Sequence, residues 1–462
     1  NPSLVYTKEA LAELWDVEDS ELLNLLAIEG KLITIDITLQ QLLKDHSSSF
    51  GGTYIDVKKN QVFVNTVNPS VVPIIKSSSA FNNNDYLNFI TFVTKSNSMD
   101  ILAYRIIKIY EKIKQFKPIN ILCYIDIELN NVVIRHDQKT NDEFINSVRE
   151  YNPIFVQFEV GLSHPRCNEN NDDIRITQFS ISRRDLNLKI LSGEGLINLF
   201  NDLGCSVGFW ARDKKNANLN YIVTAGHCSS KLSRLVDTEN FAHMAWDSTE
   251  RNLLGRMVES KNIGKYDFGL IDITGSKFLK SVTTLIRNTD SEKYSELIIE
   301  RGIQIVSHGA HVCKSGFSSH VTCGYIKGLI TISTFLEGIP FKDFVFYGKD
   351  TFQISCGGDS GGPLFSYLQN LNTVGLSGIH IGGIGDFSIF LPLNIILSKD
   401  IISVGHWTMS SYKNIGQIGL KKWNMSNFVP IYYNNSNWHL GTGTVQPITG
   451  ISNNWTGPIN WN

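Results

Sequence analysis

Short apolar runs rich in β-branched residues make up the second half of the chain, and they restrict its fold more than any other feature. Between residues 191 and 404 these runs are broken by Gly, Asn and Asp at intervals that suit strands. A long series of short strands with turn residues between them is typical of β-sandwiches and β-barrels. The pattern predicts an all-β domain at 191–404 and is what a Greek-key double β-barrel would require.

The first 190 residues mix helical and strand periods. Residues 5–46 carry apolar side chains at helical spacing and predict two or three amphipathic helices. Residues 51–67 alternate with a period of two on both sides of a polar turn, which predicts a β-hairpin. Further predictions are a helix over 98–117 and strands near 119–135 and 154–160. Residues 1–190 are therefore expected to form an α+β domain, in which the segment from Ser163 to Asp173, rich in Asn and Asp, has the composition of a linker.

Composition argues against several classes of protein. The 462 residues include 42% hydrophobic and 19% charged residues, as expected for a globular protein rather than a disordered one. The net charge of −2 gives no reason to expect binding to nucleic acid or to an anionic membrane. No apolar run is long enough to span a bilayer, and the chain starts at Asn1 without a leader, so we expect that a secretion signal has been removed.

A serine between glycines precedes one of the apolar runs. The motif Gly-Asp-Ser-Gly-Gly-Pro occupies residues 358–363, and Leu364 begins the run. Open glycine backbone lets a substrate carbonyl approach a serine hydroxyl closely, so Ser360 is the candidate nucleophile of an acyl transfer. An ordinary turn serine is the simpler interpretation.

An activated serine needs a base and a group that orients the base. His227 is the next-to-last residue of the β-rich run Tyr221–Cys228 and is the candidate base. Asp267 stands at the start of another apolar run and is the candidate orienter, with Asp272 as the alternative. A histidine packed in a core is the simpler interpretation of His227.

Three motifs together resemble those of the chymotrypsin-fold serine proteases. They are Thr-Ala-Gly-His-Cys at 224–228, Asp-Phe-Gly-Leu-Ile at 267–271 and Gly-Asp-Ser-Gly-Gly-Pro at 358–363, in the chain order His, Asp, Ser. The segments 191–195 and 204–209 are similar to the start of mature streptogrisin and α-lytic-type proteases. The resemblance covers roughly residues 191 to 404 and implies a serine endopeptidase that acts on proteins or peptides.

The resemblance assigns roles to the candidate residues. Ser360 would attack the scissile carbonyl, His227 would carry the proton, and Asp267 would hold the imidazole. The backbone amides of Gly358 and Ser360 would form the oxyanion hole.

The resemblance also bears on specificity. In this family the residue six before the nucleophile lies at the base of the specificity pocket, and here that residue is Ile354, followed by Ser355. Since neither is a carboxylate that would attract Lys or Arg, we expect cleavage after apolar or aromatic residues.

Seven cysteines leave at least one without an intrachain partner. The resemblance implies the disulfides Cys205–Cys228 and Cys313–Cys323, which argue for an oxidising compartment and hence for secretion. The family usually pairs the position of Cys356 with a later cysteine, and none follows it here, so Cys356 is either free or paired unusually. A bridge between Cys123 and Cys167 is a further alternative.

The N-terminal region resembles a second known element. Its Gly-Gly-x-Tyr-Ile-Asp hairpin at 51–56 is similar to the pro-region of α-lytic-type proteases, which helps the protease to fold and inhibits it. Trypsin-like relatives instead pair the position of Asp359 with a new amino terminus, but this chain lacks their Ile-Val-Gly-Gly start. We therefore expect a zymogen whose pro-region, residues 1–190, is removed at a boundary near Ile190 and Leu191.

Residues 405–462 form an additional tail. It holds five of the eight tryptophans and three Asn-x-Ser/Thr sequons, which start at Asn424, Asn434 and Asn454. Exposed aromatic side chains stack on sugar rings, so contact with polysaccharide is one interpretation. A β-hairpin or irregular extension whose tryptophans pack on the barrel is the other.

Two rival functions fit parts of the sequence. The motif at 358–362 also satisfies the Gly-x-Ser-x-Gly elbow of α/β-hydrolases, with Asp386 and His406 downstream, but an elbow opens a helix and Pro363 leads into a predicted strand. A catalytically inactive protease homologue that acts as a binding protein is the second rival. No metal or other cofactor is expected, because metal-ligand spacing is lacking among His243, His308, His311 and His320.

Overall fold

A computed structural model describes most of the chain up to residue 397. The described residues are 8–82, 85–137, 141–158, 164–167, 189–213, 216, 218–229, 239–261, 266–334, 340–349, 352–397, 402–404, 431–434 and 437–440. None of the helices in these ranges is both long enough and apolar enough to cross a membrane. Most of the predicted tail, including the sequons that start at Asn424 and Asn454, lies outside the described residues.

Helices and short strands alternate in the N-terminal region. The helices are α1 (Ala10–Trp15), α2 (Leu22–Leu43), α3 (Val72–Lys76), α4 (Met99–Phe116) and α5 (Asp142–Val148), and the strands are β1 (Phe50–Asp56), β2 (Gln61–Thr66), β3 (Ile90–Thr94), β4 (Ile121–Asp126), β5 (Asn131–His136) and β6 (Ile154–Gln157). This is the α+β arrangement that the mixed periods predicted.

Helix α4 shows how local sequence sets the bounds of an element. Ser98 caps its start, since its hydroxyl oxygen accepts the N–H of Ile101 at 3.3 Å. Lys117 ends it in the left-handed conformation, with a φ of 47°. Four apolar side chains at helical spacing are buried on one face: Leu102, Ile106, Ile109 and Ile113. The helix predicted over 98–117 is confirmed.

The predicted hairpin is formed by β1 and β2, which pair antiparallel. Asp56 closes the turn by accepting the N–H of Lys59 at 2.9 Å, and Asn60 follows with a φ of 53°. Strand β3 extends the hairpin as a parallel neighbour of β2. Helix α2 contacts this sheet.

Strands dominate from Ile190 onward. They are β7 (Ile190–Ser192), β8 (Gly195–Asn198), β9 (Gly204–Ser206), β10 (Phe209–Asp213), β11 (Asn220–Thr224), β12 (Asn240–Met244), β13 (Asn252–Lys261), β14 (Phe268–Asp272), β15 (Val282–Arg287), β16 (Glu296–Gly302), β17 (His311–Gly316), β18 (His320–Ser333), β19 (Phe341–Gly348), β20 (Pro363–Tyr367), β21 (Thr373–Ile384), β22 (Phe387–Pro392) and, after helix α6 (Leu393–Leu397), β23 (Ile402–Val404). In the tail, the backbone of β24 (Ile431–Asn434) pairs antiparallel with that of β25 (Asn437–Leu440).

These strands form the two β-barrel domains that the sequence predicted. The first sheet has the order β23-β10-β11-β14-β13-β12-β8-β9. The second has the order β18-β17-β20-β21-β16-β15-β7, with β19 bridging β18 and β22. The N-terminal strands β6-β5-β4 continue this second sheet, because β4 pairs with the end of β18.

A single hydrophobic cluster links the three parts of the molecule. It contains Trp15 and Leu32 of the N-terminal region, Phe209 of the first sheet and Phe365 of the second. The N-terminal region therefore packs against the strands as part of a shared core.

Candidate active site

The pairing of two neighbouring strands brings His227 and Asp267 together. Strand β11 pairs antiparallel with β14, with Thr224 opposite Gly269. The chain leaves β11 through the turn Gly226–Cys228 and enters β14 just after Asp267. The His227 N–H donates to Asp267 Oδ1 at 2.8 Å, and Nδ1–H donates to Oδ2 at 2.6 Å. In the neutral imidazole Nε2 then has no proton and can accept one.

The Asp267 carboxylate also tunes the basicity of His227. Its side chain is 1% exposed, so its charge acts with little screening by solvent. Burial by itself lowers the pKa of His227, but the charge of Asp267 and its hydrogen bond outweigh burial and raise that pKa above the ordinary value of 6.5. An imidazolium formed at His227 would thereby be stabilised.

The two candidate orienters have different environments. Asp272 lies at the other end of β14, opposite Tyr221. Its Oδ1 accepts the N–H of Thr274 at 2.8 Å, as expected of a carboxylate that closes a turn. Of the two, Asp267 contacts His227.

Ser360 lies on the turn that precedes β20. Its carbonyl oxygen accepts the N–H of Ser206 at 2.8 Å and lies 3.9 Å from the Sγ atom of Cys228, the residue after His227. Its hydroxyl donates to the carbonyl oxygen of Ile381 at 3.2 Å. Within the described part of the chain no hydrogen bond joins Ser360 Oγ to His227, and such bonds often tighten only when substrate binds.

Gly358 gives this turn a conformation that residues with a side chain rarely adopt. Its φ is +98°, and a Cβ atom at this position would approach Ser318 Oγ to 2.3 Å. The N–H groups of Gly358 and Ser360 form no hydrogen bond with other described residues. Two unpaired amides on one tight turn are the donors that an oxyanion requires.

A family model described as Trypsin matches residues 217–390, which contain this whole constellation. These residues form a trypsin-family domain. The domain is a chymotrypsin-like serine endopeptidase, and proteins or peptides are its substrates.

Similar solved structures cover a little less than half of the chain. They include Thermobifida fusca protease A (23% identity, 47% of this chain, 100% of that chain, TM-score 0.34), Nocardiopsis protease (22%, 46%, 96%, 0.35) and Cellulomonas bogoriensis chymotrypsin (22%, 46%, 96%, 0.34). No curated protein matches the chain.

A buried ion pair supports the turn of Ser360 in the protease domain. Lys314 Nζ lies 3.1 Å from Asp359 Oδ2, and both side chains are fully buried. Asp359 Oδ1 accepts the N–H groups of Ser318 and Ser319 at 2.9 Å each, and Oδ2 accepts that of Cys356 at 2.8 Å. Burial alone would raise the pKa of Asp359, but the Lys314 ammonium and these hydrogen bonds lower it below its ordinary value.

The role of Lys314 was not predicted from the sequence. The sequence feature that could have pointed to it is a lysine in a strand, β17, whose other residues are mostly apolar or small. The ammonium also donates to Ser319 Oγ at 2.5 Å and to the carbonyl oxygen of His320 at 3.1 Å. Because the cation that pairs with Asp359 comes from within the domain, the turn needs no released amino terminus as its partner.

Three disulfides lie in the described part of the protein. Cys205–Cys228 and Cys313–Cys323 are those that the resemblance implied. The third joins Cys167 to Cys356, which are 189 residues apart in sequence. The open question about Cys356 is thus answered by an upstream partner, and the Cys123–Cys167 alternative is wrong. Cys123 is a buried free thiol, and burial raises its pKa.

The histidines considered as metal ligands have other partners. His243 contacts Glu194, His311 contacts Glu29, His320 contacts Asp290, and His308 contacts the carbonyl oxygen of Lys327. A different cluster, His164 with Cys167 and Cys356, brings three potential ligand atoms within 4.8 Å of one another. Its two sulfurs are bonded to each other, so neither is a thiolate that could ligate a metal.

The two predicted specificity residues lie in different surroundings. The Ile354 side chain is fully buried in a cluster that includes Phe390, and its carbonyl oxygen accepts the Thr322 hydroxyl at 2.6 Å. Ser355 Oγ lies 2.7 Å from Ser388 Oγ. Both hydroxyl groups lie close to Gly383 of β21. A Cβ atom at Gly383 would lie 2.6 Å from Ser355 Oγ and 2.4 Å from Ser388 Oγ, so the space suits glycine.

A buried histidine extends this polar group. His380 Nδ1 lies 2.9 Å from the hydroxyl of Tyr347, which also interacts with Ser388. Burial, assisted by the charge of Lys314, lowers the pKa of His380 to about 3. His380 is therefore neutral at physiological pH. We name Ser355, Ser388, Tyr347 and His380 the pocket network.

Proposed function

We propose that the protease domain cleaves peptide bonds through an acyl-enzyme, with Ser360 as nucleophile, His227 as base and Asp267 as orienter. The observation that carries this proposal is the pair of hydrogen bonds from His227 to one buried carboxylate, at a turn that contacts the turn of Ser360. His227 Nε2 takes the hydroxyl proton while the oxygen bonds to the carbonyl carbon, and then gives the proton to the leaving amine. Water repeats both steps and releases the acid product.

The unpaired amides of Gly358 and Ser360 support the assignment of the oxyanion hole. They would donate to the oxygen of the tetrahedral intermediate, and each donor would lower the barrier by about 3 kcal/mol. A side chain at position 358 would force the turn away from this geometry, since the left-handed φ suits glycine.

Labelling with a fluorophosphonate probe tests the nucleophile. We expect one adduct on processed wild-type protein and none on Ser360→Ala or His227→Ala, as measured by intact mass. Ser276→Ala, which changes a serine in the loop after β14, is the matched control and should label fully. Failure of correctly processed wild-type protein to label would favour the rival function, a catalytically inactive homologue that binds without cleaving.

We also propose that residues 1–190 are a pro-region that assists folding and inhibits the enzyme. Its β4 pairs with the protease strand β18, with Cys123 opposite Ile332. Arg135 and Asp386 form an ion pair of 2.6 Å between side chains that are 10% and 4% exposed. A shared sheet and a buried ion pair favour joint folding of the two parts, because each covers groups that the other would otherwise leave unpaired.

Helix α2 supplies a second buried contact between pro-region and protease. Glu29 Oε1 accepts the N–H of His311 at 2.8 Å, and Glu29 Oε2 accepts from His311 Nδ1. His311 Nε2 accepts the N–H of Tyr367 at 2.9 Å, which fixes the ring as the neutral Nδ1–H form.

Limited cleavage tests inhibition by the pro-region. The chain is cut near residue 190 and assayed with the pro-region still bound, and again after the pro-region has been displaced. We expect peptide hydrolysis only after displacement. Full activity while the pro-region remains bound would contradict inhibition.

For specificity we propose cleavage after apolar or aromatic residues. The support is the lack of a carboxylate at Ile354 and Ser355, and the engagement of the pocket network in bonds among its own members. A peptide library with all residues at the cleaved position would measure this preference. Strict cleavage after Lys or Arg would contradict it, and so would cleavage after Glu, which would mean that the network binds substrate.

We propose that the protein is secreted. Three disulfides in one chain are typical of oxidising compartments. Detection of the protein in the medium of cells that express it, against a cytosolic marker, would test this. A protein retained in the cytosol with its six bonded cysteines reduced would contradict it.

A further inference from the structure

The segment His164–Cys167, which we name the latch, joins the pro-region to the nucleophile turn. Cys167 is bonded to Cys356, which stands four residues before Ser360. The N–H of Cys356 in turn donates to the buried carboxylate of Asp359. The link therefore ends on the turn that carries the nucleophile and the oxyanion donors.

Polar contacts hold the latch in place beside the disulfide. Arg166 forms an ion pair with Asp290 at 3.2 Å, and its guanidinium lies 2.9 Å from His320 Nε2. The N–H of His164 donates to Gln353 Oε1 at 3.2 Å. All of these partners belong to the protease domain, so the latch lies on that domain although it precedes it in the chain.

The order of residues along the chain determines what the latch does. It precedes Ile190, where β7 begins, so a cut between Cys167 and Ile190 breaks the backbone and leaves the disulfide intact. We propose that the processed enzyme is a two-chain protein in which the Cys167–Cys356 disulfide retains the pro-region, and that a dithiol reductant releases the pro-region by opening this bond. The proposal rests on the proposed function, in which the pro-region inhibits the protease.

Differences in burial favour selective reduction of the latch disulfide. Cys167 and Cys356 are both half-buried. The four other bonded cysteines are almost inaccessible, with exposures of 1% for Cys205, 0% for Cys228, 0% for Cys313 and 5% for Cys323. Since thiol exchange requires a thiolate to reach a sulfur, the latch is the disulfide among these three that a reductant attacks first.

The chemical step balances with a dithiol as the reductant. One thiolate attacks a latch sulfur, forms a mixed disulfide and expels the other cysteine as a thiolate. The second thiol of the reductant then attacks its own half of the mixed disulfide and expels the remaining cysteine. Two electrons pass from the dithiol to the cystine, the dithiol becomes a disulfide, and both cysteines take up protons.

A covalent link changes the effect of cleavage on inhibition. Linkage makes rebinding of the pro-region intramolecular, with an effective concentration on the order of millimolar. A pro-region of micromolar affinity would then stay bound while linked and dissociate on dilution once unlinked. The turn would keep its shape after reduction, because Lys314 and backbone N–H groups hold Asp359 without help from the disulfide.

The test uses the full chain with a recognition sequence for a site-specific protease inserted between residues 168 and 188. The protein is cut completely, diluted, and assayed for peptide hydrolysis with and without a small dithiol. Cys167→Ser and Cys356→Ser remove the link from either side. Cys123→Ser, which changes the buried free thiol, is the matched control.

We expect the cut wild-type protein to run as one band on a non-reducing gel and as two on a reducing gel. Its activity after dilution should rise roughly 10²-fold on addition of the dithiol, as linkage is lost. The cut Cys167→Ser and Cys356→Ser proteins should be active without a dithiol, and Cys123→Ser should behave like wild type.

Two bands on the non-reducing gel of the cut wild-type protein would show that no disulfide joins the two chains and would overturn the proposal. If the gel shows one band but activity is equal with and without the dithiol, the disulfide does not control release of the pro-region. The gel result stands even if the cysteine variants fail to fold, because it needs only wild-type protein. If the reduced and fully separated protease domain does not react with a fluorophosphonate, the proposed function fails while the link is retained.

Discussion

The two sheets of the protease domain contribute to the site in different ways. The first supplies His227 and Asp267, whose contact is made within one pair of adjacent strands. The second presents Ser360 on a turn that depends on Lys314 from a neighbouring strand. The polar contacts described above between the proposed pro-region and the protease domain all reach the second sheet and its loops. In the proposed function the pro-region would therefore act on the turn of Ser360, while the contact of His227 with Asp267 forms within the first sheet.

Asp267→Asn should have the largest effect, because it breaks the pair that the first sheet makes on its own. An amide cannot hold His227 in the Nδ1–H form, so we expect kcat to fall about 10⁴-fold with the fold intact. Asp272→Asn, which keeps an acceptor for the N–H of Thr274, is the control and should retain nearly full activity. Similar losses in both variants would show that Asp267 is not the orienter.

Lys314→Met tests the dependence of the second sheet on its buried ion pair. An unpaired Asp359 carboxylate would remain in the core, so the free energy of unfolding should fall by about 3–5 kcal/mol in a urea titration. Adding Asp359→Asn to Lys314→Met should restore much of the loss, because no charge is then buried alone. A change below about 1 kcal/mol in the single variant would mean that water or a rearrangement satisfies Asp359.

Glu29→Gln tests the contact between the pro-region and the second sheet. It leaves one acceptor oxygen for the two N–H donors of His311, and we expect a loss of about 1–3 kcal/mol in the unfolding free energy of the full chain. Ser360→Ala protein avoids self-cleavage during the measurement. Glu143→Gln, at an exposed position of α5, is the control and should change stability little.

The pH profile of the processed enzyme should show the smallest effect. The base must be unprotonated, so kcat/KM should rise with pH through the pKa of His227, which Asp267 holds above 6.5. In Asp267→Asn the midpoint should move below 6.5, because burial then acts without the opposing carboxylate. An unchanged midpoint would show that the rise of kcat/KM with pH does not report the protonation of His227. His380, with a pKa of about 3, should add no step near neutral pH.

Local chemistry explains which parts of the molecule the sequence could predict. Helix α4 and the hairpin of β1 and β2 carry their own caps and turn residues, and their predicted bounds were close. The sequence could nominate His227 and Ser360 as base and nucleophile because each lies on a turn whose neighbours are part of a motif. Such signals need no knowledge of the tertiary fold.

Other features depend on segments that only the fold brings together. The partner of Asp359 is Lys314 on another strand, and the partner of Cys356 lies 189 residues upstream. The contact of Glu29 with His311 joins two domains across 282 positions. No local pattern marks these pairs, since neither member shows in its own segment where the other will lie.

Separation of the pro-region would create two unequal edge strands. On the protease, the uncovered stretch of β18 is Thr331–Ser333, which is mostly polar. On the pro-region it is Leu122–Tyr124 of β4, which is equally short but more apolar, in a strand whose six side chains are all buried in the intact chain. Apolar edges with unpaired backbone groups are sites of β aggregation. The separated fragment, rather than the enzyme, would then be the more aggregation-prone product.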